Sequence, residues 1–367
     1  MRVLHVIDKS GFGGGQAAVR HLLESLARIG YENHLCCRAG GPLQDAARAL
    51  GTPVHSVPFD KRFRPGPARA VARIVRENRA DLVHAHGLVA AFYCVLAKRF
   101  FRLTRPILYH QHGFHHHNYG PLTIGPRKAL ERLVCRSVDR VIAVSRQDER
   151  DLVEGAYAPP HRIKMLHYGI PEPSANESKV EEARIDTSLN GGPCVGLVGR
   201  LHPQKGIEVL LRAAPAIRTA VPDVRFVIVG SGPLESKLRA LADELGLGES
   251  VVWAGERDAA PFLPLFHVAV VSSHWEGMPL TLLEYMAAGR TIVTTDLPGC
   301  TEAVGSTASI IPRNDPVALA ESVIRLLGDR EHAAQYQRAA RERFVAEFSL
   351  ERMGERFNSL YGELLES

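Results

Sequence analysis

Four side chains in the second half of this 367-residue chain have the types and spacing to handle a diphosphate ester. Arg200 and Lys205 stand five positions apart in GRLHPQKG, directly after the apolar run CVGLV. Two cations at a strand end suit a clamp on a departing diphosphate, where a planar fork and an ammonium meet the building negative charge. Glu276 and Glu284 flank a helix start in SSHWEGMPLTLLEYMAAGRT, Ser272 to Thr291. Backbone N–H groups from Gly277 to Thr281 point out of the positive end of that helix dipole. Such groups hold phosphate oxygens while a carboxylate on either side accepts hydrogen bonds from sugar hydroxyls. That is the chemistry of a nucleotide-sugar site.

The elements that must place these residues are legible around them. VAVV (Val268 to Val271) is a short β-branched run suited to a buried parallel strand. Pro279 fits the first turn of the following helix, where its missing N–H has no intrahelical partner. Gly289 fits the left-handed position that ends it. In the first half, RVLHVID runs into the glycine-rich GFGGGQ and then the helical AAVRHLLESLARIG. A glycine-rich strand-to-helix turn lets backbone N–H groups approach a phosphate. It departs from G-x-G-x-x-G, since Gln16 takes the third glycine's place, and Arg38 follows the second strand where a dinucleotide reader needs an acid. PILYHQHGF ends a strand in histidines, and His110, His112, His115, His116 and His117 match no common metal-ligand spacing.

Strands alternating with helices in both halves predict α/β architecture with two doubly wound parallel sheets. The length predicts two domains of about 170 residues each. The expected boundaries are 1–170, a polar acidic linker at 171–192, a second domain at 193–345 and a helical tail at 346–367. No run of about 18 apolar residues occurs. The opening MRVLHVIDKSGFGGG begins as a strand without a signal peptide's long apolar region, which predicts a cytoplasmic protein. Six cysteines without C-x-x-C spacing predict reduced thiols and neither a disulfide framework nor a zinc site.

Net charge is +5, unevenly shared: residues 1–170 hold 26 Lys and Arg against 13 Asp and Glu. This half is expected to face something anionic. The stretch 61–105 interleaves basic residues with Phe, the pattern of a peripheral contact with an anionic membrane at the inner face. A solvated helix face with arginines lying over apolar neighbours fits the same pattern. No nucleic-acid-binding module accompanies the charge.

Taken together these motifs resemble the group 1 glycosyltransferases of glycosyltransferase family 4, retaining enzymes of the GT-B fold. EGMPLTLLE carries the E-G-x-P-x-x-x-x-E element, GRLHPQKG matches G-R-L-x-x-x-K-G, and AAGRTIVTTDLPGCTEAV fits the flank. HRIKMLHYGIP departs from the usual P-N-G-I-D, with His167 and Tyr168 for Pro-Asn and Pro171 for Asp. The resemblance implies two Rossmann-like domains facing across a cleft, with the helical tail crossing back to the first. It implies transfer of a hexose-type sugar, from a UDP-sugar in the leading reading, to a lipid-linked or saccharide acceptor in cell-envelope or polysaccharide synthesis. Neither a metal nor a cofactor beyond the nucleotide-sugar co-substrate is implied. By resemblance Glu284 binds the ribose, while Glu276 and the backbone of Gly277, Met278, Pro279, Leu280 and Thr281 hold the donor. Arg200 and Lys205 stabilise the leaving group, and His112 reaches the donor sugar near its anomeric centre. Gly13 and Gly14 line the diphosphate or the acceptor, and the turn at Gly255 to Arg257 contacts the base. Competing readings are a GT-B epimerase or phosphorylase-like enzyme, a nicotinamide-dependent dehydrogenase, which Gln16 and Arg38 oppose, and a non-catalytic binding protein.

Overall fold

The structure, a computed structural model, describes residues 1–11, 13–59, 64–113, 121–189 and 191–366. The chain divides into two compact units, Met1–Pro171 with Phe348–Ser367, and Glu172–Glu347.

The first unit is built on seven parallel strands, β1 Arg2–Ile7, β2 Glu32–Cys37, β3 Val54–Ser56, β4 Leu82–His86, β5 Ile107–His110, β6 Arg140–Ala143 and β7 Ile163–Met165. Their order is β3-β2-β1-β4-β5-β6-β7. Val, Ile and Leu on both faces keep β1 and β4 buried, as helix-covered parallel sheets require. Order reverses between β1 and β4, and the loops leaving such a switch point form the natural crevice for a ligand. The glycine-rich loop leaves β1 there. The C-terminal helix Leu350–Glu366 covers one face, burying Phe357, Tyr361 and Leu364 against Val3, Leu22 and Leu108. Ser25 Oγ donates to the Leu350 carbonyl at 2.6 Å. A Cβ on Gly354 would lie 2.7 Å from that same Oγ, so the helix approaches this closely only with glycine there.

The second unit carries six parallel strands, β8 Cys194–Val198, β9 Arg225–Val229, β10 Val251–Gly255, β11 Val268–Val271, β12 Thr291–Thr295 and β13 Ser309–Ile311. Their order is β10-β9-β8-β11-β12-β13, with the switch point between β8 and β11. The segments bearing Arg200, Lys205 and Glu276 leave those two strands. All six cysteines are buried and free, and burial raises the thiol pKa of each. Among the described residues no helix is long and apolar enough to cross a membrane.

One expectation needs correction. The polar segment 171–192, expected as a linker, contains the helix Glu177–Asp186 and belongs to the second unit from Glu172 onward. Asn176 caps it by accepting from the Lys179 N–H at 2.9 Å. Ala183 is its buried residue, and Arg257 binds Asp186 at 2.5 Å and Glu182 at 3.5 Å. The helix has almost no apolar stripe, so its position rests on a cap and on an arginine distant in sequence.

Candidate active site

β8 ends at Val198, and Gly199 to Lys205 turn back over the sheet edge. Gly206 follows at φ 55°, and a Cβ there would lie 2.2 Å from the Ser272 carbonyl oxygen. Only glycine allows this approach between the loops after β8 and β11. Across that approach Lys205 Nζ meets Glu276 Oε1 at 2.6 Å. Ser273 Oγ donates to the same oxygen at 2.9 Å, and Gln204 Nε2 donates to Glu276 Oε2 at 3.1 Å. Gln204 Nε2 also reaches the Trp275 carbonyl at 3.1 Å, and the His274 N–H donates to the Gln204 carbonyl at 2.8 Å. With the side chain of Glu276 only 7% exposed and that of Lys205 17%, this is a sheltered pair. Three donors hold the carboxylate, which fixes its orientation.

The helix Leu280–Ala287 begins beside this pair, with Pro279 as N-cap and no side-chain cap on its first N–H groups. Ala288 is its C-cap, and Gly289 adopts φ 60° as its type and place predict. The Val198 N–H donates to Tyr285 Oη at 2.7 Å, tying the helix to the end of β8. Lys205, Ser272, Ser273 and Thr281 line one small pocket here with Val198 and Val271. A Cβ on Gly299 would overlap the Gly277 carbonyl oxygen, so the loop carrying Gly277 is seated directly on the helix after β12. Met278 and Pro279 are buried, while Leu280 and Glu284 are half-buried along the helix start. Thus Lys205, Glu276 and the 277–284 segment come together at the switch-point edge. Arg200 is exposed on the same loop and makes no side-chain hydrogen bond to another described residue. The Arg257 guanidinium is committed to Asp186 and Glu182 and lies 5.2 Å from the Phe262 ring centroid.

In the first unit Gly13 is the N-cap of the helix Gly14–Arg28, and a Cβ on Gly14 would touch nothing within 4 Å. A Cβ on Gly15 would sit 3.7 Å from the His112 ring, so the glycine-rich loop and His112 adjoin. Half-buried, His112 adjoins a group of buried histidines of which the sequence had pointed only to His110. His5, His84, His86 and His110 line one face of β1, β4 and β5, with His110 and His112 rings stacked at 4.4 Å. Alternate positions along adjacent strands share a face, so His84 with His86 and His110 with His112 carried the signal. Ring nitrogens of His5, His84 and His86 lie within 4.8 Å of one another, as do those of His86, His110 and His112. His115, His116 and His117 lie outside the described residues.

On the basic surface, Arg69, Arg73, Arg76, Arg79, Arg99, Arg102 and Arg105 are exposed. Phe100 is 68% exposed, whereas Phe92 and Phe101 pack against the core. Lys61, Arg62 and Phe63 lie outside the described residues.

Residues 12–172 match the model of Glycosyltransferase Family 4, and residues 192–329 match that of Glycosyl transferases group 1. An alpha-D-kanosaminyltransferase of Streptomyces kanamyceticus is 27% identical, covering 94% of this chain and 98% of its own. A UDP-Gal:alpha-D-GlcNAc-diphosphoundecaprenol alpha-1,3-galactosyltransferase of Escherichia coli is 24% identical, covering 100% and 97%. The crystal structure of Anabaena HepE with UDP-glucose superposes with TM-score 0.86 at 19% identity, covering 99% of this chain and 100% of that one. Two Rossmann-like parallel sheets, each with its site loops at a switch point, are the domains of a GT-B glycosyltransferase. The chain belongs to the group 1 glycosyltransferases of family 4.

Proposed function

We propose that the protein moves a hexose-type sugar from a UDP-sugar to a lipid-linked or saccharide acceptor, with retention of anomeric configuration. The reading rests foremost on the Lys205–Glu276 pair beside the open start of the helix Leu280–Ala287. A cation, a fixed carboxylate and unpartnered helical N–H groups are together suited to a sugar diphosphate. Lys205 and Arg200 meet the charge on the leaving diphosphate, Glu284 takes ribose hydroxyls, and Glu276 faces the donor sugar. Glu276 is held by three donors and is ill placed as a nucleophile. The donor's own phosphate oxygen therefore helps deprotonate the acceptor on the front face. The galactosyltransferase relative, named for UDP-Gal and a diphosphoundecaprenol acceptor, supports a lipid-linked acceptor in envelope or polysaccharide synthesis. The basic surface around Phe100 supports work at the inner face of a membrane.

The test is a thermal-shift panel of UDP-, GDP- and ADP-sugars followed by NMR of the first-formed product. A ligand at 100 times its Kd stabilises by about 2.7 kcal/mol. A shift with UDP-sugars and a product with the donor's anomeric configuration are expected. Inversion would remove the front-face route, and a shift confined to GDP- or ADP-sugars would replace the donor.

A further inference from the structure

A continuous row of hydrogen bonds crosses the first unit beneath its C-terminal helix. Asn33 Oδ1 lies 3.2 Å from His5 Nε2, and His5 Nδ1 lies 3.2 Å from His86 Nε2. His86 Nδ1 then lies 3.2 Å from His112 Nε2, and His112 Nδ1 lies 2.6 Å from Tyr168 Oη. The rings of His84 and His110 stack on those of His86 and His112 at 4.1 Å and 4.4 Å, fixing their planes.

The direction of the row follows from its first member. Asn33 Nδ2 donates to the Leu23 carbonyl at 3.1 Å, so the amide cannot turn and its oxygen must face His5. An amide oxygen only accepts, so His5 carries its proton on Nε2. Burial lowers the His5 pKa to about 4 and that of His86 well below its ordinary value, leaving each with one proton near neutrality. His5 Nδ1 is then an acceptor, which requires the proton of His86 on Nε2. His86 Nδ1 is an acceptor in turn, which requires a proton on His112 Nε2. Tyr168, whose hydroxyl pKa burial raises well above the ordinary value, keeps its proton and donates to His112 Nδ1. One amide therefore orients three imidazoles.

We infer that Asn33, His5 and His86 are positioning residues that set the tautomer and ring plane of His112, with Tyr168 closing the row. The functional consequence rests on the reading of His112 as a donor-site residue. His112 adjoins Gly15 at the mouth of the glycine-rich loop, and its two ring nitrogens are both engaged in the row. Its Nε2 faces His86 and its Nδ1 faces the Tyr168 hydroxyl, so the row holds both its ring plane and its tautomer.

Long-range 1H–15N correlation spectra of the full chain labelled at histidine read the tautomers directly. At neutral pH, His5, His86 and His112 should all appear in the Nε2–H form. Asn33→Leu removes the acceptor that orients the row, and should give mixed tautomers at His86 and His112. Tyr168→Phe leaves that acceptor in place, and should keep the Nε2–H form throughout. Nδ1–H at His86 or His112 in the unsubstituted protein overturns the inference. So does a stoichiometric divalent metal on these ring nitrogens, detected by elemental analysis and by the 15N shifts. For turnover, Asn33→Leu is expected to lower kcat roughly 10- to 100-fold, in the range for small misplacements in a site, with little change in donor KM. Uniform Nε2–H tautomers lost in Asn33→Leu without a change in kcat would uphold the row and remove the role given to His112. A protein active on donor but with mixed tautomers would overturn the row and leave that role standing.

Discussion

The ammonium of Lys205 and the carboxylate of Glu276 lie 2.6 Å apart, joining the loops after β8 and β11. On the proposed function, Lys205 is a cation at the leaving diphosphate. Lys205→Ala is expected to lower kcat on the order of 10²–10³-fold, by analogy with loss of one preorganised oxyanion donor. Lys205→Arg should rescue only in part, since a planar fork and a compact ammonium fill the space differently. Steady-state kinetics with a soluble acceptor decide it, and full activity in Lys205→Ala would exclude Lys205 from leaving-group stabilisation.

Glu284 sits half-buried in the second turn of the helix that starts at Leu280. If it takes two ribose hydroxyls, it makes charge-assisted bonds of about 1.5–3 kcal/mol. Glu284→Ala should then weaken nucleoside diphosphate binding by roughly one to two powers of ten. Titration calorimetry with the free nucleotide reads this without turnover, and unchanged affinity removes the assignment.

Legibility in the sequence followed the range of the interactions. Pro279 and Gly289 act within a turn of themselves, so the helix they bound was readable from their types alone. Arg200 and Lys205 were readable because one loop carries both. The helix Glu177–Asp186 was hidden because it is held by Arg257, 71 positions from Asp186. Arg257, placed near the base by resemblance, also binds Asp186 and Glu182, a contact that local sequence could not show. The row through His5, His86 and His112 needed strand order as well as alternation. His5 pairs with His84 and His86 with His110 only once β1, β4 and β5 are neighbours.

Residues 64–105 present exposed arginines around Phe100, and this surface should bind anionic lipid with a steep salt dependence. Changing Arg99, Arg102 and Arg105 together to Glu should abolish sedimentation with phosphatidylglycerol vesicles while leaving donor binding intact. Each basic residue near such a surface contributes about 1 kcal/mol, so the reversal is large against noise. Failure of the unsubstituted protein to sediment at low salt would favour a water-soluble acceptor.

The buried histidines also make a prediction about acid. Desolvation lowers His5 from the ordinary 6.5 to about 4 and His21 to about 3, and takes His84, His86 and His110 well below 6.5. These groups stay neutral in the native first unit but take up protons near 6.5 once unfolded. The unfolded state therefore binds more protons in this window, and stability must fall as pH falls. The loss begins near 6.5 and continues until the folded groups themselves titrate, about 4 for His5. At about 1.4 kcal/mol per pKa unit, His5 alone withdraws about 3 kcal/mol over that span. Urea unfolding followed from pH about 7.5 to about 5 should show a falling midpoint, earlier for the first unit than for the second. His110→Phe tests the origin of the slope, because neither His110 ring nitrogen has a hydrogen-bond partner among the described residues. Replacing it removes two unsatisfied buried atoms along with one titrating group, so the slope should flatten at little cost near neutrality. An acid slope unchanged in His110→Phe would take His110 out of the acid sensitivity.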